Sequence, residues 1–556
     1  MNISEFRDAD PRNRHNGLLI PRLNYCDQPY IVVTGSGDWV CTMTTGKGVE
    51  GVPGQHIIAT VSHDQGRSWS PPVAIEDESG PEASWVTPMI TPYGRIFAFY
   101  TFNGDNVTTL PGAPGRVRSD THGWYAFKYS DDGGFSWSQR RFRIPMPIAE
   151  IDKRNPWGGS VCHFWGIDKP KVQNGSVYFA FTRLGRFFMQ DGEGWIVSSP
   201  NLLTERDPER LEFRLLPENG LGIRDRKFEG IQEEHNLLPI GGEDWLCVCR
   251  TQSGFALESY SRDAGRSWST PEPMRYSPNG RIIRTPRACP KLFDAGMGRF
   301  LFWYHNNAYT SWGGRNPVFL TGGRRAADGT VHWSEPELIL FDSIPSCGMS
   351  YPDMIIDSGD FFVTETNKVE ARTHLLDPAI LAGLWAPPEH SADNALSETA
   401  NFGGIEHGGW SIEIGATTLP AGTHLLEKRD ASGVGVRIII DELAGGATVK
   451  IEFSDGVYGL EWSSDPGRLE TGSKFHAVFV ADFSAGIISI ILNGEFCDGS
   501  GLRPWGWGRI PNTMNGIANT AEAKQHLAVS LLRLYERPLR TAEAVGCHRS
   551  WLRKKA

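Results

Sequence analysis

Ser62-His-Asp-Gln-Gly-Arg-Ser-Trp69 returns as Ser130-Asp-Asp-Gly-Gly-Phe-Ser-Trp137 and again as Ser261-Arg-Asp-Ala-Gly-Arg-Ser-Trp268. All three fit S-x-D-x-G-x-S-W. Their starts at 62, 130 and 261 lie one and then two periods of about 65 residues apart. The missing copy should fall near Ile196, where Ser198-Ser-Pro-Asn-Leu-Leu-Thr-Glu205 reads as an eroded version, and Asp328-Gly-Thr-Val-His-Trp333 is a weaker copy after the third. The chemistry of the octapeptide is that of a hairpin turn. Its Asp accepts backbone N–H groups of its own turn, its Gly supplies a positive φ, and its Trp folds back as an apolar plug.

Outward from each copy lie short apolar runs bounded by Gly, Pro and Asp: GQHIIATVS, RIFAFYTF, GWYAFKYS, DWLCVCRT and RFLFWYHN. They read as strands. Several short strands per repeated unit of this length point to the blades of an all-β propeller.

The composition narrows the functional class. The chain has 556 residues, a formal net charge of −10 and 22% charged residues, and it carries 19 Trp and 63 Gly. This is the make-up of a globular protein with many turns. No Lys/Arg run suggests a nucleic-acid partner. The opening MNISEFRDADPRNRHNG lacks the apolar core of a signal peptide, and no apolar stretch is long enough to cross a bilayer. A soluble protein without membrane partners, cytoplasmic unless a leader has been removed, is therefore expected. The nine cysteines are scattered, and Cys247 and Cys249 share one strand face without two further ligands at metal spacing, so neither a metal site nor a cofactor is expected.

The octapeptide resembles the Asp box of the sialidase (neuraminidase) superfamily, also called the BNR repeat. In that family the boxes are structural and stand away from the active site. The resemblance implies a six-bladed β-propeller over residues 1–385, closed by pairing of the N-terminal strand with the last blade. A linker is expected at 386–394, where Ala386-Pro-Pro-Glu-His-Ser-Ala-Asp changes the texture of the chain. Residues 395–556 carry no box. HAVFVADFSAGIISIILNGEFCDG followed by LLRLYERPLRTAEAV resembles a concanavalin-like, laminin-G-type jelly roll. That implies a β-sandwich acting either as a carbohydrate-binding module or as a packing domain.

The resemblance also implies site residues. Glu234 opens a strand, Arg250 ends the next, and a box follows at Ser261. In the family this order marks the Glu that activates the nucleophile and one of the arginines that bind the substrate carboxylate. Glu233 is the alternative to Glu234. Arg315 in GGRNPVFL matches the next arginine, Tyr351 in GMSYPDMI the nucleophilic tyrosine, and Glu365 in FFVTETNK the Glu one strand later. For Tyr351 the other reading is a core aromatic. A tyrosine suits a sugar with a carboxylate on its anomeric carbon, because a neutral nucleophile is not repelled by that charge. Its phenol, with a pKa of about 10, then needs a base. Glu50, ahead of the first box, is the expected acid/base residue, with His56 as competitor.

One position departs from the family pattern. Asp27 stands where the first arginine is expected. A carboxylate about 4 Å from a substrate carboxylate costs roughly 4 kcal/mol at an effective dielectric of 20. Either Arg14 or Arg22 compensates, or Asp27 lines the pocket and turns it from ordinary sialosides to another acidic or unusual sugar. The implied function is a retaining exo-glycosidase acting on a glycan or oligosaccharide. The alternatives are a glycan-binding propeller without catalysis and a lyase using His56 and Tyr351.

Overall fold

A computed structural model describes residues 3–113, 115–186, 191–311, 313–389, 408–511, 514 and 523–553. The protein is all-β apart from short helices, and its N-terminal part is a β-propeller. Among the described residues six antiparallel sheets follow one another along the chain. Their first strands are Tyr25–Val33, Ala83–Ile90, Cys162–Trp165, Glu233–Gly241, Lys291–Asp294 and Met354–Asp357. A short pairing between Cys162–Trp165 and His122–Ser130 ties the second sheet to the third. The fourth strand of the last sheet is Leu18–Ile20, which pairs with Ala371–Leu375, so the two ends of the propeller chain close the ring.

The octapeptides sit at one place in each sheet, between the third and fourth strands. In the first, Asp64 Oδ1 accepts the Ser68 N–H at 2.8 Å and Asp64 Oδ2 the Ser68 hydroxyl at 2.6 Å, while Ser62 Oγ accepts the Gly66 N–H at 2.8 Å. Gly66 has φ +83°, and its Cα faces the Trp39 and Trp69 rings. In the eroded copy Asn201 Oδ1 accepts the Glu212 N–H at 3.0 Å, eleven residues on, so an amide closes a longer loop in place of the box turn.

The described residues beyond 408 form two sheets packed face to face. One contains Gly409–Thr417, Lys474–Asp482, Ile487–Leu492 and Val529–Tyr535, the other His424–Arg429, Gly435–Leu443 and Gly446–Ser454. In Lys474–Asp482 the side chains alternate between two cores. Phe475, Ala477, Phe479 and Ala481 face the opposite sheet, whereas Val478 and Val480 join Leu238, Phe302, Phe319 and Leu338 of the propeller. A strand buried on both faces reads as an unbroken apolar run, and KFHAVFVADF is one.

One segment of the stretch expected to form the propeller packs elsewhere. Helix α1 (Ile3–Ala9) belongs with the sandwich: Arg7 donates to the carbonyls of Ser484 and Phe483 at 3.0 and 3.1 Å. Helix α2 (Pro378–Trp385) closes the propeller chain, with Asp377 accepting the Ala379 N–H. Of the expected linker, residues 390–394 lie outside the described residues, as do 395–407 of the expected sandwich. Helix α3 (Thr541–Arg553) follows the last strand, and buried Glu337 of the propeller accepts its first N–H groups, from Thr541 and Ala542. No helix among the described residues is long and apolar enough to cross a membrane.

Candidate active site

The first strands of four sheets are broken at one level by a non-glycine residue in the left-handed region: Gln28 (φ 51°), Trp85 (φ 61°), Glu234 (φ 55°) and Tyr351 (φ 49°). Pairing shifts register around the first three. Of these four residues Trp85, Glu234 and Tyr351 line one cavity, while Gln28 is buried with its Nε2 on the Gly166 carbonyl at 3.0 Å. The strain is held by dense contacts: Trp85, Trp165, Ile167, Leu184, Cys289 and Tyr351 form one buried cluster.

Above this cluster lies a cavity of about 170 Å³ lined by Glu50, Trp85, Arg118, Trp165, Glu234, Arg250, Arg315, Tyr351 and Lys368. The Tyr351 hydroxyl donates to Glu234 Oε1 at 2.7 Å, and Arg250 Nη1 holds the same oxygen at 2.5 Å. Arg250 also reaches Glu233 at 2.8 Å, and Arg287 meets Glu233 at 2.7 Å. Glu234 is therefore the carboxylate at the tyrosine, and Glu233 is the one that orients the arginines. Arg315 is held by Ser350 Oγ at 2.9 Å and by the Arg287 carbonyl at 3.1 Å. Burial, and after it the Glu234 carboxylate, push the Tyr351 phenol well above its ordinary pKa. The free phenol therefore keeps its proton.

Glu50 enters from the loop before the first box. Its Oε1 accepts from Arg118 at 2.7 Å and its Oε2 stands 3.3 Å from the Lys368 ammonium. Burial pushes this carboxyl up, but Lys368 and Arg118 outweigh burial and hold it at about 2. Its folded pKa thus lies below the ordinary carboxyl value of 4.5. The stability it contributes should be complete above about pH 4.5 and lost as the pH falls through the folded value. Urea unfolding of wild type and Glu50→Gln at several pH values checks this. The stability difference should be constant above pH ~5 and shrink as acid protonates the group. A difference independent of pH would show that the two cations do not keep Glu50 ionised.

Three residues expected in the pocket stand outside its lining. Asp27 is buried one step before the bulge at Gln28, where strand alternation turns it away from the axis, as it does Glu233 and Ser350. It accepts from the Tyr25 hydroxyl at 3.0 Å and contacts the Lys368 ammonium. Glu365 is buried behind the site against Arg14 Nε at 2.9 Å. His56 points its Nδ1 at the Gly54 carbonyl, 3.1 Å away. Neither Arg14 nor Arg22 reaches the cavity, since Arg22 donates to the Val369 carbonyl at the surface. The cation at that corner is Lys368, whose Nζ lies 4.1 Å from the centre of the Tyr351 ring.

Sequence reasoning missed Trp85, Arg118, Trp165 and Lys368. The indoles of Trp85 and Trp165 stack at 6.0 Å and form one wall. Aligning the first strands on one another would have found Trp85, because Ser84-Trp85, Glu233-Glu234 and Ser350-Tyr351 occupy equivalent steps. Arg118 had a signal too, in the long loop between Ile96–Phe102 and His122–Ser130. Loops of that length are commonly functional. Lys368 has φ 75° in a tight turn after Thr366, and nothing local marks it.

The lining carries four cations and two carboxylates. The groups that touch them from behind, Asp27, Asp120, Glu233 and Arg287, bring the whole cluster to neutrality. An anion in the cavity is thus met by cations first, with the compensating charge one layer further out. Among the described residues no group of three or more His, Cys, Asp or Glu is arranged to hold a metal ion.

Comparison with known proteins places this geometry. The model of the BNR repeat-like domain matches residues 50–363. No curated protein matches the chain. Among solved structures the chain is similar to the Hadza microbial sialidase Hz136, with 16% identity and a TM-score of 0.44 over 64% of this chain and 66% of that one. It is also similar to the Trypanosoma rangeli sialidase in complex with sialic acid, with 14% identity and a TM-score of 0.45 over 97% of this chain and 95% of that one. The NanB sialidase from Streptococcus pneumoniae matches with 13% identity and a TM-score of 0.44, over 65% of this chain and 68% of that one. The chain spans about two thirds of the length of Hz136. With the octapeptides at one corner of successive sheets and the family model covering more than half of its length, the chain belongs to the BNR repeat-like family.

Proposed function

We propose that this protein is a retaining exo-glycosidase that releases an acidic terminal sugar from a glycan, with Tyr351 as nucleophile and Glu234 as its base. The observation that carries the reading is the hydrogen bond from the Tyr351 hydroxyl to Glu234 at 2.7 Å, inside a cavity whose nearest charges are mostly positive. Core tyrosines of this protein also meet buried carboxylates, as Tyr535 meets Glu413 at 2.6 Å; what distinguishes the Tyr351–Glu234 pair is that it opens onto a cavity together with Arg250, Arg315 and Lys368.

The chemistry follows from the residues. The Tyr351 oxygen attacks the anomeric carbon and its proton passes to Glu234. The bond to the leaving oxygen breaks with its electron pair, and that oxygen takes a proton from Glu50. Water then attacks the anomeric carbon and gives a proton to Glu50, while the phenolate leaves and recovers its proton from Glu234. Glu50 is ionised in the empty site because Lys368 and Arg118 hold it there. An acidic substrate group held by Arg315 that also draws Lys368 and Arg118 toward itself frees Glu50 to take up the proton it must donate. Trp85 and Trp165 give the sugar an apolar face to lie on.

The test is hydrolysis of a panel of 4-methylumbelliferyl glycosides containing nonulosonic acids, uronic acids and neutral sugars. Turnover confined to acidic glycosides, with retention of configuration by NMR, is the expected result. Saturable binding of an acidic sugar without turnover of any glycoside would overturn it in favour of a lectin-like propeller.

A further inference from the structure

We infer that the C-terminal sandwich completes the propeller's cavity, with Trp507 and Arg509 acting as positioning residues that hold both stems of the segment presenting Arg315. The inference rests on the proposed function in one respect, that Arg315 engages the acidic group of the substrate.

Arg315 does not sit on a strand. It lies in the irregular stretch between Arg299–Tyr304 and Val318–Arg325, where the sheet ladder supplies no partners. Backbone groups there need hydrogen bonds from elsewhere. The propeller provides some of them. Asn307 Nδ2 donates to the carbonyls of His305 and Gly314, and Asn316 Nδ2 to those of Asp342 and Ile344. The carbonyls at the two stems are taken by the other domain. Trp507 Nε1 donates to Asn306 O at 3.1 Å, and Arg509 Nη2 to Asn316 O at 2.7 Å, one residue from Arg315. The Ala308 N–H donates to Pro504 O at 2.7 Å, and the Tyr309 and Trp505 rings stack at 5.8 Å.

These donors are rigid with respect to the sandwich. Gly508–Arg509 pairs with Ile487–Leu492, and the Arg509 guanidinium lies 4.9 Å from the centre of the Trp507 ring. Trp507 is itself part of the apolar core the two domains share. That core, together with Glu337 at the start of α3, already joins the domains at a distance from the site. The contacts of Trp507 and Arg509 are therefore not needed for docking, and both end on carbonyls that flank Arg315. On its other side Arg315 has little room. A Cβ on Gly348 would stand 2.9 Å from the Arg315 Cβ, and the guanidinium bonds Ser350, the neighbour of Tyr351. A stem released from Arg509 loosens the arginine, whereas Ser350 and with it Tyr351 stay paired to Thr366.

The experiment uses the full chain with Arg509→Ala, Arg509→Lys and Trp507→Phe. Hydrogen exchange of the amides from Asn306 to Val318 is read first, because it requires no substrate. Exchange should quicken about tenfold in Arg509→Ala, as expected for loss of one charge-assisted hydrogen bond, and less in Trp507→Phe, with the sandwich core unaffected. Arg509→Lys should restore part of the protection. On the aryl glycoside that wild type hydrolyses, KM should rise about tenfold in Arg509→Ala while kcat stays within about twofold. Unchanged exchange in both Arg509→Ala and Trp507→Phe overturns the inference, and so does faster exchange with unaltered KM. If wild type turns over no glycoside, the proposed function has failed. Binding of the methyl α-glycoside of N-acetylneuraminic acid then replaces KM: affinity lost in step with the exchange supports the brace, and affinity unchanged or absent overturns it.

Discussion

Tyr351→Phe is expected to lower kcat by at least about a thousandfold, the scale on which an activated nucleophile acts, while leaving the fold intact. The substitution removes one oxygen. Glu234 keeps its bond to Arg250 at 2.5 Å, so no carboxylate is left unpaired. The stability cost should stay near 1 kcal/mol, the net worth of one hydrogen bond. The aromatic wall is preserved as well, since the Phe ring still meets Trp85 edge-on at the present 6.1 Å. The measurement is kcat on the best aryl glycoside, with urea unfolding as the control. Activity within tenfold of wild type would remove Tyr351 from the chemistry.

Arg250→Met is expected to destabilise the propeller by about 3–5 kcal/mol, the cost of breaking a buried ion pair on one side. Arg250 is 3% exposed and neutralises two carboxylates at once, Glu233 at 2.8 Å and Glu234 at 2.5 Å. Without it Glu233 keeps Arg287, and Glu234 keeps only the tyrosine hydroxyl. Met roughly matches the volume of the side chain, so the loss reports charge rather than a cavity. The double variant Arg250→Met/Glu234→Gln should recover much of the stability, because the uncompensated charge is gone. Urea midpoints for the two single variants and the double variant give the coupling directly. A single-variant loss under about 1 kcal/mol would mean that the carboxylates are solvated in a way the burial does not suggest.

The chain of inference from the octapeptide was local at each step. Asp64, Gly66 and Ser68 satisfy one another within a single turn, so their spacing is readable without knowing what surrounds them. Repetition at one period then states that the same unit recurs around an axis. The apolar run in HAVFVADF was legible as strand, but what covers its second face was not, because the partner of Val478 and Val480 is the propeller, more than a hundred residues earlier in the chain. Asp27 shows the same limit inside the site. Its chemistry was plain from the sequence. Its direction depended on a bulge at Gln28 that only the pairing with Trp39–Gly46 reveals, and a shift of one residue turns a side chain from the axis to the sheet interior.

By itself the sequence determined the strand-and-turn unit, its period, the BNR repeat-like family and the set of residue types at the Glu234, Arg250, Arg315 and Tyr351 positions. Those properties are carried by contacts a few residues apart or by repetition along the chain. The tertiary structure alone decided which charges face the cavity. Lys368 and Arg118 come from a tight turn of the last sheet and a long loop of the second, which flank the first, and they meet over Glu50 only because the sheets close on one another. It also decided that the sandwich reaches Arg315. The hydrogen bond from Arg509 to Asn316 O joins residues 193 apart, and no periodicity or propensity encodes a contact whose geometry is set by how two separately folded cores dock.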